Sequence, residues 1–296
     1  MALIPPTFIN SVVAIGTRKS DGNIAWFASG FLYGHHLYKI DDTQSRFKVY
    51  LVTNRHVLAE VQNVILRFNP QEDKPAREFP IDFSGENAAK RLFHPDPAID
   101  LGAVAINANV LRDNGIEFDY FRGNVQIVTL TLAQEIGLFE GDFCYLLGFP
   151  MGLIGGHRNY VITRHGTLAR ISDFLRGHSN EILVDCMNFP GNSGGPVVTK
   201  PELLSIQGTK SQNNSYLLGI VSQYITYQDV AVSTQTNRPR VVFEENSGLA
   251  KIVPAHYLKE WMDGLPQNQA GPETKPELKQ QEIQDSEVQQ SAPTDG

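Results

Sequence analysis

The sequence predicts an all-β fold, arranged as a pair of antiparallel barrels or sandwiches, and two observations support this prediction. About a dozen short runs rich in β-branched and aromatic residues recur along the chain, separated by Gly, Asn, Asp and Pro. This spacing is typical of strands joined by turns, whereas alternating strands and helices would need longer intervals. Helical periodicity is confined to one segment near the C-terminus.

The predicted strands fall into two groups. The first group comprises SVVAIG, ASGFLY, KVYLVT, NVILRF and LGAVAI. The second comprises NVQIVTL, DFCYLLGF, RNYVITRHGTL, EILVDC, GPVVT, SYLLGIVSQYI and RPRVVF. Residues of about 107–140 are poorer in such runs and are expected to connect the two halves. We therefore predict an N-terminal domain over residues 1–120 and a C-terminal domain over residues 121–263.

One amphipathic helix is predicted at about residues 254–263. Pro254 suits the first helical turn, and apolar residues recur at helical spacing at Val253, Tyr257, Leu258, Trp261 and Met262. Residues 264–296 are rich in Gln, Glu, Pro and Ser, and they hold six acidic and two basic residues. Such a segment buries too little apolar surface to fold, so we expect a disordered acidic tail. It is either a solvated end without a role or an arm that binds a regulatory partner.

Composition narrows the class of protein. With 41% hydrophobic and 19% charged residues, the chain is typical of a soluble globular protein. The net charge of −7 argues against a nucleic-acid partner. The N-terminus lacks a basic residue ahead of its apolar stretch, and no run is long enough for a membrane helix. We therefore expect no membrane association and a cytoplasmic location, with Cys144 and Cys186 as buried reduced thiols.

The segment DCMNFPGNSGGPVV, residues 185–198, carries the first chemical signal. Ser193 lies among glycines, between two runs that are predicted to be strands. A tight turn alone would explain this composition. A serine nucleophile would explain it as well, because that role requires a nearby base and backbone N–H groups that receive an oxyanion.

A histidine and an aspartate occur in matching settings. In YLVTNRHVLAE, His56 directly follows a β-branched strand end, and in HPDPAIDLGAVAI, Asp100 directly precedes an apolar strand. Asp96 is the competing carboxylate, but it lies between two prolines in a predicted turn. The order along the chain is therefore His, Asp, Ser, with intervals of 44 and 93 residues.

These three segments resemble the active-site motifs of the chymotrypsin-like serine peptidases, and they are closest to the HtrA-type branch. The strand LLGIVSQY resembles the one that lines the specificity pocket and pairs with substrate, and the likeness covers roughly residues 10–262. The resemblance implies two six-stranded antiparallel Greek-key barrels followed by a helix. It also implies that the first barrel carries His56 and Asp100 and that the second carries Ser193.

The roles of the residues follow from the resemblance. Ser193 would attack the peptide carbonyl, His56 would take and return the proton, and Asp100 would orient the imidazole. The backbone N–H groups of Gly191 and Ser193 would hold the oxyanion. Gly191 and Gly194 would allow the backbone to turn these donors inward. The partner is then a protein or peptide substrate, and no cofactor is implied.

The predicted specificity pocket consists of Met187, Phe189, Ser222, Gln223 and Tyr224. None of these side chains is charged, so a substrate ammonium would lack a counter-charge there. We therefore expect cleavage after an uncharged side chain.

The sequence also departs from the family. Asn192 replaces the aspartate that digestive members use to pair with a freshly cut N-terminus, so activation by that cleavage is not implied. HtrA-type chains usually continue into a PDZ domain, whereas only the acidic tail follows here. His35 and His36 could suggest a metal site, but adjacent histidines on a turn are usually exposed, and we predict no metal.

Two other functions fit parts of the sequence. The glycines around Ser193 also match the GxSxG nucleophile elbow of α/β-hydrolases. That elbow needs a helix after the serine and a histidine after the acid, whereas a strand is predicted here. The second alternative is a catalytically silent barrel pair that binds peptides or protein partners.

Overall fold

The computed structural model describes residues 3–85, 88–204 and 206–266. They form an eight-stranded sheet in the first half of the chain and a closed six-stranded barrel in the second. The predicted all-β class is therefore confirmed. Of the predicted acidic tail, residues 267–296 lie outside the described residues.

The first sheet has the strand order β5-β4-β1-β2-β3-β7-β6, with β8 paired in parallel to β2. Its strands are β1 (Val12–Arg18), β2 (Ile24–Lys39), β3 (Ser45–Thr53), β4 (Asn63–Phe68), β5 (Arg77–Asp82), β6 (Arg91–Phe93), β7 (Gly102–Ala105) and β8 (Phe121–Arg122). This first half was expected to be a closed six-stranded barrel, but the described sheet does not close. Among the described strands, β5 pairs with β4 alone and β6 pairs with β7 alone, so both are edge strands. Alternate residues such as Val13 and Ile15, or Val49 and Leu51, pack in one core, as strands with one buried face require.

The second half is a closed antiparallel barrel in the order β10-β11-β14-β13-β12-β9. Its strands are β9 (Phe143–Gly148), β10 (Ile162–Arg170), β11 (Ile182–Asp185), β12 (Pro196–Thr199), β13 (Leu217–Val232) and β14 (Pro239–Pro254). Cys144 and Cys186 are free and buried in its core. Burial raises the pKa of both thiols, so both stay protonated at neutral pH, as predicted for inert core cysteines.

Six short helices of the described chain lie before, between and after the strands. They are α1 (Pro6–Ile9), α2 (Arg55–Leu58), α3 (Ala108–Asp113), α4 (Leu130–Ile136), α5 (Ser172–Leu175) and α6 (Ala255–Asp263), with a 3₁₀ turn at Pro150–Gly152. The predicted C-terminal helix is confirmed as α6. No helix among the described residues combines the length and the apolar character that crossing a membrane requires.

The prediction of a strand at NVQIVTL, residues 124–130, is wrong. Ile127 makes one isolated bridge to Leu217, and α4 then begins within the run. Thr129 favours the helix because its side chain accepts a hydrogen bond from the N–H of Leu132, and Gly137 ends it at a φ of 73°. Local capping here outweighs the β-branched composition. The expected connector thus contains α3, β8 and α4, and the domain boundary at residue 120 stays a prediction.

A carboxylate holds the start of α5. Glu140 accepts hydrogen bonds from the N–H of Ile171, the N–H of Ser172 and the hydroxyl of Ser172. Burial raises the pKa of Glu140, but these three bonds outweigh it and bring the pKa to about 2. Glu140 is therefore ionised throughout the neutral range.

Candidate active site

His56 and Asp100 come together because their strands are neighbours. β3 and β7 pair antiparallel, with Thr53 opposite Gly102, so the end of one strand lies beside the start of the other. His56 follows β3 within α2, and Asp100 directly precedes β7. The imidazole Nδ1 lies 2.7 Å from Asp100 Oδ2, and the backbone N–H of His56 donates to Oδ1 at 3.1 Å. The carboxylate therefore fixes both the ring and the backbone of His56.

Asp100 has further hydrogen-bond partners in both halves of the chain. The Asn54 amide donates to the Asp100 carbonyl at 3.0 Å, and the Ser222 hydroxyl, from the barrel, donates to Oδ2 at 2.9 Å. Burial raises the pKa of Asp100, but the hydrogen bonds and charge of His56 and the bond from Ser222 outweigh it, so the pKa is lowered overall. Asp100 is thus a carboxylate at neutral pH, and Ser222 connects it to the barrel.

Ser193 lies just before β12 and is held by its backbone. Its carbonyl accepts from the N–H of Ser29, and the N–H of Gly194 donates to the carbonyl of Val221, at 2.9 and 2.8 Å. His56, Asp100 and Ser193 line the same open cleft of about 570 Å³. Imidazole, carboxylate and hydroxyl, which are far apart in the sequence, therefore share one site.

The Ser193 hydroxyl and the His56 imidazole line one cleft, but among the described residues no hydrogen bond joins them. In the described part of the chain, the recorded partner of the Ser193 hydroxyl is the Ser222 carbonyl, at a long 3.5 Å. Catalytic hydrogen bonds of empty sites are commonly long and shorten when substrate binds. The shared cleft is therefore compatible with a nucleophile and its base.

The residues before Ser193 form a tight turn. The N–H of Asn192 donates to the carbonyl of Phe189 at 3.1 Å, and Gly191 has a φ of 98°. Pro190 at the second position and a positive φ at the third are typical of a type II turn. A side chain at Gly191 would place its Cβ 2.5 Å from the Phe149 carbonyl, so only glycine fits this turn.

The turn leaves two backbone donors unused beside the hydroxyl. The Pro190 carbonyl accepts from the N–H of Met151 at 2.6 Å. Because a trans peptide directs its C=O and N–H oppositely, the N–H of Gly191 points away from Met151. Among the described residues, the N–H groups of Gly191 and Ser193 have no hydrogen-bond acceptor. Two free donors next to a nucleophile are what a developing oxyanion needs.

Ser29, a residue that the sequence interpretation missed, anchors this turn. Its side chain is fully buried; its hydroxyl donates to the Gly191 carbonyl at 2.7 Å and accepts from the N–H of Phe149 at 2.9 Å. Its own carbonyl accepts from the hydroxyl of Thr53 at 2.8 Å. Strand β2 of the first sheet thus fixes the turn of the barrel. A serine within the apolar run ASGFLY was the available signal, because a buried hydroxyl requires partners.

The predicted pocket residues divide into two groups. Phe189, Ser222, Gln223 and Tyr224 line the cleft, together with Pro97, Ala98, Asn188, Pro190 and Thr226, which were not predicted. Met187 is not among the lining residues, and it is 48% exposed. The amide of Asn188 donates to the Gln223 carbonyl at 3.3 Å, and the Arg164 guanidinium stacks 5.1 Å from the centre of the Phe189 ring. The cleft wall is therefore mainly apolar and amide in character.

One family model and two solved structures show what the chain is similar to. A family model described as "Trypsin-like peptidase domain" matches residues 28–202. No curated protein matches the chain. Among solved structures, the Drosophila Grass clip serine protease of the Toll pathway is 13% identical with a TM-score of 0.49, over 88% of this chain and 69% of that one. Human heparin binding protein is 12% identical with a TM-score of 0.47, over 93% of this chain and 98% of that one.

Proposed function

The chain belongs to the trypsin-like peptidase domain family, and we propose that it is a serine endopeptidase with Ser193 as nucleophile. One observation carries this proposal. The hydroxyl of Ser193 shares a cleft with an imidazole bound to a carboxylate at 2.7 Å, and it follows a turn with two unused N–H donors. This combination of groups suits acyl transfer.

In the proposed mechanism, His56 removes the proton of the Ser193 hydroxyl as the oxygen attacks the peptide carbonyl. Asp100 keeps Nδ1 protonated, so that Nε2 is free to act as the base, and it stabilises the imidazolium that forms. His56 then donates the proton to the leaving amine, and water repeats the sequence on the acyl-enzyme. The N–H groups of Gly191 and Ser193 stabilise the negative charge of each tetrahedral intermediate.

Cleavage after an uncharged side chain is part of the proposal. Asn188, Phe189 and Tyr224 line the cleft and provide apolar and amide surface without an acidic group. A buried lysine or arginine side chain of the substrate would find no counter-charge among them. Met187 is half exposed and does not line the cleft, so the proposed preference rests on Asn188, Phe189 and Tyr224.

A fluorophosphonate probe tests the proposed chemistry directly. Wild type should be labelled, whereas Ser193→Ala should not be, and the exposed Ser20→Ala serves as a matched control that keeps labelling. Turnover of a peptide substrate should fall about a million-fold in both Ser193→Ala and His56→Ala. A His56→Ala protein that keeps a tenth of wild-type activity would contradict the assigned roles.

A silent binding domain is the second candidate. It is favoured by the Ser193 hydroxyl donating to the Ser222 carbonyl at 3.5 Å and not to His56. In that case the wild type would resist the fluorophosphonate at every pH and temperature tested while still binding peptides. Labelling of Ser193 would exclude it.

Membership of the HtrA-type branch and action in a reducing compartment such as the cytosol are further parts of the proposal. Two buried, unpaired thiols support the compartment, because disulfides persist mainly in oxidising environments. Residues 264–296, with a net charge of −4, are proposed to bind a basic regulatory partner. Fractionation of tagged full-length chain against a cytosolic marker tests the location.

A further inference from the structure

The outer parts of β13 and β14 form a long two-stranded hairpin. Over residues 226–246, called here the exposed hairpin, each strand pairs only with the other among the described residues. Six large apolar side chains on it are each 44–60% exposed: Tyr227, Val230, Val232, Val241, Val242 and Phe243. Isolated two-stranded hairpins are marginally stable, and exposed apolar strand edges favour pairing with another chain. The exposed hairpin therefore fits a binding role.

The outer edge of β13, on the side away from β14, starts beside Ser193. On that side, β13 first pairs with β12 and with the segment after Ser193, because the N–H of Val221 donates to the Gly195 carbonyl. The next carbonyl, that of Ser222, accepts from the Ser193 hydroxyl. Beyond this point β12 is no longer alongside, and no strand of the described part of the chain pairs with this edge of β13. Tyr224 and Thr226 lie on this stretch and also line the cleft.

Backbone groups further along β13 face the same open edge. The N–H of Val230 donates to the Asp229 carboxylate at 2.8 Å and so does not enter the ladder with β14. Val230 lies directly opposite Val242. In an antiparallel pair of this kind, the backbone groups of both residues point outward, at opposite edges. A charge that covers an edge N–H is a known protection against unwanted pairing, and an incoming strand would displace Asp229.

We propose that the exposed hairpin extends substrate binding beyond the cleft, with residues well ahead of the scissile bond added as an antiparallel strand along β13 from Thr226 to Val232. This inference rests on the proposed function. A strand antiparallel to β13 runs from the hairpin tip toward Ser193, so it delivers its C-terminal end to the hydroxyl. The added stretch is about 23 Å long at about 3.3 Å per residue. The favoured substrates are extended or unfolded segments rich in β-branched and aromatic residues, because their alternate side chains contact the apolar faces of the hairpin.

The first test measures the dependence of cleavage on peptide length. The probes are fluorogenic coumarin amides with a constant cut-site residue, extended on the N-terminal side by Thr-Val repeats of two, four, six, eight and ten residues. For the full-length wild type we expect kcat/KM to rise by about tenfold or more between the four-residue and ten-residue probes, since each pair added beyond the cleft supplies hydrogen bonds and apolar contact. Equal kcat/KM for the probes of four to ten residues overturns the proposal, even if the two-residue probe is cleaved more slowly.

The second test uses matched proline variants of the two hairpin edges. Val230→Pro and Val242→Pro each remove one valine from the same residue pair and one outward N–H, but from opposite edges. The ratio of kcat/KM between the longest and shortest probes should fall about three- to tenfold in Val230→Pro and remain near the wild-type ratio in Val242→Pro. An equal fall in both variants, or none in either, overturns the proposal.

A binding measurement separates this inference from the proposed function. Fluorescence anisotropy with a fluorescein-labelled ten-residue Thr-Val peptide is recorded on full-length Ser193→Ala and on Ser193→Ala with Val230→Pro. Tighter binding by the first protein supports strand addition even if wild type neither cleaves peptides nor reacts with fluorophosphonate. Equal binding overturns it. Sedimentation that shows a wild-type dimer dissociated by Val230→Pro also overturns it, because a second copy then occupies the edge.

Discussion

Substitution of Ser29 by alanine isolates the contact between the first sheet and the turn at residues 189–192. The substitution removes one hydroxyl, which donates to the Gly191 carbonyl at 2.7 Å and accepts from the N–H of Phe149 at 2.9 Å. The N–H of Ser29, bound to the Ser193 carbonyl, and its carbonyl, bound by Thr53, are unaffected. The main fold should therefore persist while the turn loses its anchor.

The expected magnitudes follow from burial. Gly191 and Phe149 are both buried, so water cannot replace the lost hydroxyl without rearrangement. Each buried backbone group left unsatisfied costs about 1–3 kcal/mol, so losing both partners should lower the free energy of unfolding by roughly 2–6 kcal/mol. Complete loss of an oxyanion donor costs about a hundred- to a thousandfold in kcat. The substitution loosens the Gly191 donor without removing it, so we expect kcat to fall about ten- to a hundredfold, with KM changed less than about threefold.

The assay combines urea unfolding with steady-state kinetics on one peptide substrate. Ser11→Ala is the matched control, because Ser11 is equally buried and its hydroxyl also donates to a backbone carbonyl, that of Phe8, at 2.7 Å. The Ser11→Ala substitution should lower the free energy of unfolding without lowering kcat. The reasoning is refuted if Ser29→Ala is destabilised yet keeps kcat within threefold of wild type, or if Ser11→Ala loses as much kcat.

The remaining predictions concern Asp100, Gly194 and the acid sensitivity of the fold. Asp100→Asn should lower kcat about ten-thousandfold, because a neutral amide no longer holds the required tautomer of His56; peptide kinetics measure this, and a loss under tenfold would contradict it. Gly194→Ala should abolish activity and cost about 3 kcal/mol or more in urea unfolding, because its Cβ would lie 2.0 Å from the Thr53 hydroxyl. The matched Gly22→Ala, at a φ of 85° and with open space around it, should cost only about 1–2 kcal/mol, and equal costs would remove the steric argument. Because the pKa of Glu140 is lowered to about 2, its stabilising contribution is complete above about pH 4.5 and is lost as pH falls toward 2. Glu140→Gln should lack this part of the pH dependence of the urea midpoint, and an unchanged slope between pH 5 and pH 2.5 would show that the bonds to α5 do not cause it.

Residues of the candidate site differ in how far the sequence predicted them. His56 and Asp100 each adjoin an apolar strand, and local pattern indicated them because a strand end positions a side chain reproducibly. Phe189, Ser222, Gln223 and Tyr224 were predicted for the pocket and line the cleft. Met187 was predicted on its distance from Ser193 along the chain, but the chain between them turns, and its side chain is half exposed.

The fold shows the same division. The strand-forming runs were found wherever alternation and turn residues agree, as in KVYLVT before His56. The run NVQIVTL was wrongly predicted as a strand. Thr129 and Gly137 cap the two ends of α4, and this local stabilisation of the helix outweighs the β-branched composition of the run. The expectation of a closed first barrel failed because sheet closure depends on which distant edges meet, and no residue of β5 or β6 encodes this locally.

The sequence by itself determined the all-β class, the order of imidazole, carboxylate and hydroxyl, and the glycines that let the turn form. These features depend on residue type and on neighbours within a few positions, where backbone propensity and sterics act. Only the tertiary structure decided that Ser29 anchors the turn at residues 189–192 across 162 residues and that the Ser222 hydroxyl donates to Asp100. It also decided that no strand among the described residues pairs with the outer edge of β13 beyond the cleft. Hydrogen bonds and packing between distant segments depend on which surfaces the folded chain brings opposite one another, and no local pattern records that.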